Sequence, residues 1–311
     1  MLSVRNLIDT TSLTADDITQ ILDTARSFAE VNSRAIKKVP ALRGRTIVNL
    51  FLEPSTRTRS SFELAEKRLS ADSLNMSGST SSVVKGESLA DTIQTIAAMN
   101  VDMFVCRARL AGTPYLITQN TDAVVVNAGD GKHQHPTQAL LDLFTIRENF
   151  GHLDGLKVAI VGDLDHSRVV GSLAPALKTM GADVTFVGPP TFQVSDPSWY
   201  GVTQTADLDA VLPEMDVVYM LRVQLERMEG AVIPSKREYN RLYGLDARRA
   251  ALMKPEAIVC HPGPMNRGME INTEVADGPR ARILDQVNAG VAVRMAAMYL
   301  LLGGENNGLS A

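Results

Sequence analysis

Short apolar segments alternate with amphipathic ones along the first half of the chain. Residues 45–53, 102–107 and 122–128 are apolar and rich in β-branched side chains, which is typical of buried parallel strands. Residues 14–30 carry apolar side chains at helical spacing, and Thr14 is a candidate N-cap. Helical segments also separate the strand-like ones, so the pattern predicts a parallel sheet with helices on its faces.

The same alternation starts again after a long helical segment, residues 136–151, which ends at a glycine. Later strand-like segments read LKVAIVGD, ADVTFVGPP, DVVYMLR and KPEAIVCHPGP. The last predicted helix spans 281–301, and its inward face is expected to hold Leu284, Val287, Val291, Met295 and Met298. A chain of 311 residues also exceeds what one hydrophobic core usually organises. We therefore predict an α/β fold of two similar-sized domains, each a parallel β-sheet flanked by helices.

Composition excludes several classes of protein. The formal net charge of −4 argues against a nucleic acid or an anionic membrane as a general partner. No segment approaches the roughly 20 apolar residues that span a bilayer, and the first residues lack the apolar run of a signal peptide. The two cysteines, Cys106 and Cys260, show no metal-ligand spacing. A reducing environment therefore fits better than a disulfide framework, and we predict a soluble cytoplasmic protein.

A cluster of hydroxyl and guanidinium groups follows the first buried strand, and its members are Ser55, Thr56, Arg57, Thr58 and Arg59. Ser55 can cap the helix that follows, which leaves backbone N–H groups of the first turn available to an anion. The hydroxyls and guanidiniums add donors that suit phosphate oxygens. The alternative is a capped surface helix with solvated arginines. The position directly after an apolar strand favours the anion site.

His135 and Gln138 follow another strand-like segment, in the sequence His-Pro-Thr-Gln. A neutral imidazole can donate a hydrogen bond to a carbonyl oxygen, and a glutamine side chain can bind an amide-like NH₂ group. An isolated histidine here would more simply be a loop residue beside a helix start. His133 precedes His135 by two positions, but no cysteine or carboxylate completes a metal-ligand set.

Further candidate groups lie at the ends of other strand-like segments. Arg107 ends the segment DMFVCR, Arg168 follows KVAIVGD, and Arg222 ends DVVYMLR. Each of these arginines could instead form a surface salt bridge or extend its charge to solvent. The composition of residues 81–88, with its serines and glycine, would by itself indicate an exposed loop without a binding role. The sequence His-Pro-Gly-Pro at 261–264 indicates a rigid turn that presents carbonyl oxygens.

These motifs occur in the order found in the aspartate/ornithine carbamoyltransferase family, which the sequence resembles from its first helix to the segment AGVAVRMAAMYL. The resemblance implies transfer of the carbamoyl group of carbamoyl phosphate to the amine of L-aspartate. The products would be N-carbamoyl-L-aspartate and phosphate, in pyrimidine biosynthesis. The resemblance implies no metal and no organic cofactor. It also implies that the active site lies in a cleft between the two domains, which long helices link.

The resemblance also assigns roles to individual residues. The residues expected to bind carbamoyl phosphate are Ser55, Thr56, Arg57, Thr58, Arg107, His135 and Gln138. Thr58, Arg107 and His135 are expected to be catalytic, because they would surround the carbonyl oxygen where negative charge grows. Ser81 and Lys85 are expected to reach the active site from an adjacent subunit. The residues expected to bind aspartate are Lys85, Arg168, Arg222, Gln224, Pro262 and Gly263.

The same resemblance predicts the domain bounds and the assembly. Residues 1–140 would bind carbamoyl phosphate, the C-terminal helix 286–311 would pack back onto them, and residues 141–285 would bind aspartate. Shared active sites imply a homotrimer. The chain contains no recognisable regulatory domain, so the resemblance leaves open a separate regulatory chain or a dihydroorotase-like partner.

Two alternatives remain beside this interpretation. Another amine could be the acceptor, but family members that use ornithine have a cysteine after the histidine of the turn and an S-M-G segment, whereas here Cys260 precedes His261 and S-M-G is missing. A catalytically silent scaffold homologue would be expected to lack one of four residues, but all four are present: Arg57, Lys85, Arg107 and His135. Many family members have leucine at the position of Gly263, so the packing of this turn is expected to differ.

Overall fold

The chain forms two compact units. The computed structural model describes residues 2–77, 88–224 and 235–303. Unit 1 comprises Met1–Phe144 and Asn288–Ala311, and unit 2 comprises Thr145–Val287. Both boundaries between the units fall inside long helices, Pro136–Phe150 and Ile283–Leu301.

Unit 1 contains a four-stranded parallel sheet with the strand order β2-β1-β3-β4. Its strands are β1 (Thr46–Phe51), β2 (Asp72–Ser77), β3 (Met103–Ala108) and β4 (Val124–Asp130). Its helices are α1 (Ala15–Ser33), α2 (Thr56–Arg68), α3 (Leu89–Ala97) and α4 (Thr113–Thr118), with most of α5 (Pro136–Phe150) and α11 (Ile283–Leu301). The central strands are almost wholly buried, as expected for a parallel sheet.

The first helix shows how local sequence determines an element of unit 1. Thr14 occupies the N-cap and accepts a hydrogen bond from the Asp17 backbone N–H, while the Asp17 carboxylate accepts from Thr14. This capping box satisfies two backbone donors that a helix start leaves unpaired. Burial raises the pKa of Asp17, but hydrogen bonds from Ser3 and Thr14 outweigh that effect and lower it to about 2.

A polar pair lies inside the otherwise apolar core of unit 1. Asn49 of β1 donates from Nδ2 to Glu66 Oε2 of α2 over 2.9 Å, and both residues are fully buried. Burial raises the pKa of Glu66, although hydrogen bonds from Ser73 and Asn49 oppose the shift. Glu66 is thus a buried carboxyl group whose hydrogen-bond partners are neutral side chains.

Unit 2 contains a five-stranded parallel sheet with the strand order β7-β6-β5-β8-β9. Its strands are β5 (Lys157–Val161), β6 (Asp183–Val187), β7 (Thr203–Thr205), β8 (Val217–Met220) and β9 (Ile258–Cys260). Its helices are α6 (Arg168–Thr179), α7 (Leu208–Val211), α8 (Lys236–Tyr243), α9 (Ala247–Ala250) and α10 (Thr273–Ala276). The prediction of two parallel sheets flanked by helices is confirmed.

Several predicted details were wrong. In α11, Leu284 is 82% exposed and Val287 is 59% exposed, whereas Val291, Met295 and Met298 are buried. From residue 289 onward most of the helix is buried on all sides, so its apolar positions do not define a single face. The patterns also missed α4, β7 and α8, because these elements are short or rich in polar residues.

The part of the chain that the structure describes contains no helix with both the length and the apolar character that a membrane crossing requires. Cys106 and Cys260 are buried and are not joined by a disulfide. Burial raises the pKa of the Cys106 thiol, and the Asp130 carboxylate adds to this effect.

Candidate functional site

The predicted phosphate-binding residues of unit 1 lie at one edge of its sheet. Because β1, β3 and β4 are adjacent and parallel, their carboxyl ends meet at the same edge. Thr58 lies in the helix that follows β1, Arg107 lies near the end of β3, and His135 lies in the loop after β4. Ligands of parallel α/β sheets bind at this edge.

Arg107 is fixed by two side chains from the segment after β1. Its Nε donates to Glu53 Oε1 over 2.7 Å, and its Nη1 donates to Thr58 Oγ1 over 3.0 Å. Nη1 also lies 3.4 Å from the carbonyl oxygen of Ala128, in β4. The Arg107 and Glu53 side chains are mostly buried, so this ion pair has a defined geometry. The structure therefore brings together Thr58 and Arg107, two of the three predicted catalytic residues.

The helix start at Thr56 agrees with the predicted anion site, but the expected cap differs. Ser55 occupies the N-cap position of α2 with extended backbone, yet its side chain makes no capping hydrogen bond. Thr56 and Arg57 are exposed at the first turn. The first-turn N–H groups and these side chains are thus donors at a helix N-terminus, where the helix dipole favours negative charge.

A buried arginine behind α2 adds positive charge to this region. Arg294 of α11 donates from Nη1 to Ser61 Oγ over 2.7 Å, and its guanidinium lies 5.0 Å from the centre of the Phe62 ring. Burial lowers the pKa of Arg294 to about 10, and repulsion by Arg107 contributes to the shift. The arginine ties α11 to the helix that begins at the candidate phosphate site.

A buried aspartate organises the loop that ends at His135. Asp130 Oδ2 accepts from the Gly112 backbone N–H over 2.7 Å, and Oδ1 accepts from Asn127 Nδ2 and from the Gln134 backbone N–H. One carboxyl group at the end of β4 thereby joins the loop after β3 to the far end of the loop after β4. His135 itself is buried immediately before the first residue of α5, as the proline at that position predicts.

Gln138 is oriented by a hydrogen bond to the next turn of α5. Its Nε2 donates to Asp142 Oδ1 over 3.0 Å, and Asp142 is fully buried. Because the amide nitrogen faces Asp142, the Gln138 oxygen remains as an acceptor. An acceptor at this position suits an NH₂ group.

In unit 2, the predicted aspartate-binding residues also lie at the carboxyl ends of adjacent parallel strands. The order β5-β8-β9 places three segments side by side at one edge of the sheet. Arg168 follows β5, Arg222 and Gln224 follow β8, and Pro262 and Gly263 follow β9. The structure therefore brings these five residues to the same edge of unit 2.

The loop before Arg168 is held by a second buried aspartate. Asp163 Oδ1 accepts from the His166 backbone N–H over 3.2 Å and lies 2.8 Å from His166 Nδ1. Burial raises the pKa of Asp163, while its hydrogen bond to His166 opposes the shift. Arg168 is the first residue of α6 and is buried.

The turn after β9 has the rigid form that its prolines predict. Gly263 has a φ of 62°, in the left-handed region that favours glycine, and its bond to Pro264 is cis. The Gly263 backbone N–H donates to His261 Nδ1 over 2.8 Å. Pro262 and Gly263 are partly exposed. Gly263 therefore suits the backbone conformation of this turn.

Some predicted site residues lie outside the described residues, and some structural groups were missed. Ser81 and Lys85 fall in the first of the undescribed segments. The buried positioning groups Asp130, Asp163 and Glu270 were not predicted, because in sequence an acidic residue outside a helix resembles an ordinary solvated one. Asp130 and Asp163 lie at or just after the end of an apolar strand, whereas Glu270 lies ten residues after β9. Within residues 2–77, 88–224 and 235–303, no group of histidine, cysteine and acidic residues could hold a metal ion.

Known proteins are similar to this chain in sequence and in fold over nearly its whole length. A family model described as "Aspartate/ornithine carbamoyltransferase, carbamoyl-P binding domain" matches residues 5–148, and one described as "Aspartate/ornithine carbamoyltransferase, Asp/Orn binding domain" matches residues 154–301. The aspartate carbamoyltransferase catalytic subunit of a Parafrankia species is 56% identical over 301 residues, which cover 97% of this chain and 97% of that protein.

Solved structures extend the comparison to bound ligands. Aspartate transcarbamoylase from Trypanosoma cruzi, in complex with carbamoyl phosphate and aspartate, has a TM-score of 0.85 and 32% identity, with 94% of each chain covered. Ornithine carbamoyltransferase from Pyrococcus furiosus has a TM-score of 0.85 and 27% identity, covering 96% of this chain and 97% of that chain. The fold is therefore common to enzymes named for either acceptor. Together with the two family models, these similarities show that the chain belongs to the aspartate/ornithine carbamoyltransferase family.

Proposed function

We propose that this chain is an enzyme that transfers the carbamoyl group of carbamoyl phosphate to the amine of L-aspartate, in pyrimidine biosynthesis. The main support is the cluster at the sheet edge of unit 1, where Arg107 bonds to Thr58 beside the start of α2. Such an array of fixed donors suits a phosphate with an adjacent carbonyl group. The naming of a relative at 56% identity supports aspartate as the acceptor.

In this proposal, the residues of unit 1 bind and polarise carbamoyl phosphate. The donors for its phosphate are Ser55, Thr56, Arg57, Thr58 and Arg107. Thr58, Arg107 and His135 stabilise the negative charge that grows on the carbonyl oxygen when the amine attacks. The Gln138 oxygen, oriented by the bond to Asp142, accepts from the carbamoyl NH₂ group.

The residues of unit 2 bind aspartate in the same proposal. Arg168 and Arg222 pair with its two carboxylates, since forked guanidiniums bind carboxylates bidentately. Gln224 adds a polar contact, and the carbonyl oxygens of Pro262 and Gly263 accept from the attacking amine. A bond forms between the aspartate nitrogen and the carbamoyl carbon, and the bond from that carbon to the phosphate oxygen breaks. The departing phosphate takes the proton that the attacking amine loses. Neither a metal nor an organic cofactor is needed.

We also propose a cytoplasmic homotrimer with shared active sites, in which Ser81 and Lys85 act in the site of the adjacent subunit and Lys85 also contacts aspartate. The support is the sequence resemblance of this loop. Sedimentation should give the mass of three chains, and a fully active monomer would contradict the proposal.

The proposed reaction is tested by phosphate release from carbamoyl phosphate with L-aspartate, L-ornithine, putrescine or N-acetylornithine as the acceptor. Aspartate should support turnover, and the other amines should support little. Activity confined to ornithine would assign the chain to the other branch of the family. Absence of turnover with all four, together with no calorimetric binding of a phosphonate–aspartate bisubstrate analogue, would indicate a silent scaffold.

A further inference from the structure

A fully buried pair lies directly behind the candidate aspartate-binding segments of unit 2. His261 Nε2 lies 3.2 Å from Glu270 Oε1, and neither side chain has any solvent exposure. Nδ1 of the same imidazole accepts from the Gly263 backbone N–H, so that nitrogen carries no proton. His261 is therefore in the tautomer that donates from Nε2 to Glu270.

Glu270 also controls the other end of the turn after β9. The same oxygen, Oε1, accepts from the Asn266 backbone N–H. The carboxyl group thus closes the segment from His261 to Asn266 into a loop whose two ends bond to one atom. Pro262 and Gly263 lie within this loop, so their carbonyl oxygens are held in place by a group that they do not themselves contact.

Asn266 extends the network to the neighbouring strand end. Its Nδ2 donates to the carbonyl oxygen of Val223 over 3.1 Å. Val223 is fully buried and lies between Arg222 and Gln224, the two candidate substrate residues after β8. One side-chain amide therefore joins the segment proposed to bind a carboxylate to the turn proposed to bind the amine.

The segment that contains Glu270 is itself anchored on its far side. The Glu270 carbonyl oxygen accepts from the Leu245 backbone N–H over 3.0 Å, and Asn240 Nδ2 of α8 donates to the Met269 carbonyl oxygen over 2.9 Å. Met269 also packs with Val223 in a small apolar cluster. Glu270 is thus part of a rigid support rather than of a free loop.

We propose that Glu270 is a positioning residue for the amino-acid substrate, acting through His261 and Asn266 to keep the Pro262–Gly263 carbonyls and the Arg222–Gln224 segment in one arrangement. The inference rests on the proposed function. Fixed relative placement of the groups for the amine and for the carboxylates is what a reaction between two bound molecules requires.

Two substitutions separate the two arms of the network. Asn266→Ala removes the bond to Val223 but keeps the backbone donor to Glu270, so mainly the Arg222 segment should shift. Loss of one hydrogen bond weakens a binding constant by roughly 3- to 10-fold, and we expect the KM for aspartate to rise by about that factor. Glu270→Ala removes both bonds to Oε1, and a rise of roughly 10- to 100-fold is expected.

The dicarboxylate succinate has the length of aspartate without its amine, and its inhibition constant reports the carboxylate contacts alone. Asn266→Ala should raise this constant in parallel with the KM for aspartate. Glu270→Gln keeps a carbonyl oxygen that can accept both hydrogen bonds, so it should restore most of the affinity lost in Glu270→Ala. In these variants the KM for carbamoyl phosphate should be unchanged. A merely structural role of Glu270 would not produce the recovery of aspartate affinity together with this unchanged KM.

The matched control is Arg267→Ala, next to Asn266 in sequence. Arg267 is exposed and pairs with Asp277, so it lies outside the network. Its aspartate kinetics should match those of the unmodified protein. If Glu270→Ala fails to fold, Asn266→Ala decides the question. Aspartate KM values within about twofold of the unmodified protein in Asn266→Ala would overturn the inference while leaving the proposed function intact. Absence of aspartate turnover in the unmodified protein would overturn the proposed function first.

Discussion

The two units place their candidate substrate residues at the same edge of a parallel sheet, but they hold those residues in different ways. In unit 1 two candidate side chains, Arg107 and Thr58, bond directly to each other, with Glu53 as the counter-ion of Arg107, and supporting groups such as Asp142 hold other candidates. In unit 2 the candidate residues are held from behind, by Glu270 and Asn266, which are not themselves expected to touch substrate.

This difference follows from what each unit is proposed to bind. A phosphate with an adjacent carbonyl group needs many donors directed at one small region, so the donors crowd together and require an internal counter-ion. An amino acid with two carboxylates and an amine needs separate groups for each, and the candidates lie on the segments after β5, β8 and β9. Their relative placement must then come from supporting contacts behind the surface.

The comparison is tested most strongly by removing one guanidinium from each unit. Arg107→Gln should lower kcat by about 10²- to 10³-fold, because a donor to the developing oxyanion is lost. Arg222→Gln should mainly raise the KM for aspartate, by roughly 10- to 100-fold, because a charged hydrogen bond to a carboxylate is lost. Steady-state kinetics with each substrate varied in turn would measure both effects.

The control for these variants is Arg241→Gln, which removes an exposed guanidinium from α8. In this variant kcat and the KM for each substrate should be unchanged. A rise in the aspartate KM alone for Arg107→Gln, with unchanged kcat, would contradict the assignment of the two units.

A smaller effect is expected from removing one buried charged group that binds backbone atoms in each unit. Asp130 accepts from the backbone N–H groups of Gly112 and of Gln134, the residue before His135. The buried Arg249 donates to the carbonyl oxygens of Gly244 and Leu242 at the end of α8. Asp130→Ala and Arg249→Met each leave several backbone groups unpaired, so each should lower the free energy of unfolding by about 2–4 kcal/mol. Only Asp130→Ala should also lower kcat, because it releases the loop of a predicted catalytic residue.

Urea unfolding and turnover at saturating substrate would measure these effects. Asp277→Ala is the matched control, since this carboxylate is exposed and pairs with a surface arginine. This substitution should change the free energy of unfolding by less than about 1 kcal/mol. An equal loss of kcat in Arg249→Met and Asp130→Ala would remove the proposed distinction between the two groups.

Sequence was sufficient for the features that depend on local pattern. Apolar runs predicted the strands β1, β3, β4, β5, β6, β8 and β9, and the position of S-T-R-T-R after a strand predicted a helix start where α2 begins. The roles of Arg107 and Thr58 at one carbonyl oxygen came from the family resemblance, and their contact depends on the adjacency of β1 and β3, which local pattern does not predict. Arg168, Arg222 and Gln224 depended on the family resemblance, because a lone arginine after a strand has many ordinary uses.

The features that sequence did not predict depend on contacts between residues distant in sequence. Asn266 bonds to Val223, 43 positions away, and Asp130 bonds to Gly112, 18 positions away. No local period records such a pair, and a carboxylate or amide in a loop is usually solvated. The burial and the partners of these groups can therefore be known only once the fold is known.

The smallest predicted effect concerns the buried carboxyl groups that the two units use differently. Asp163 of unit 2 bonds to His166, whereas Glu66 of unit 1 bonds only to neutral groups. Burial raises the pKa of Glu66 above the ordinary value of 4.5. Because the folded-state pKa is higher than the unfolded one, Glu66 lowers the stability of the fold as the pH rises through and above 4.5. Glu66→Gln keeps the oxygen that Asn49 bonds to and removes the charge, so it should be more stable than the unmodified protein at pH 8 but not at pH 4.5. Urea midpoints at the two values would measure this, with exposed Glu30→Gln as the control. A variant less stable than the unmodified protein at pH 8 would show that unit 1 needs this charge.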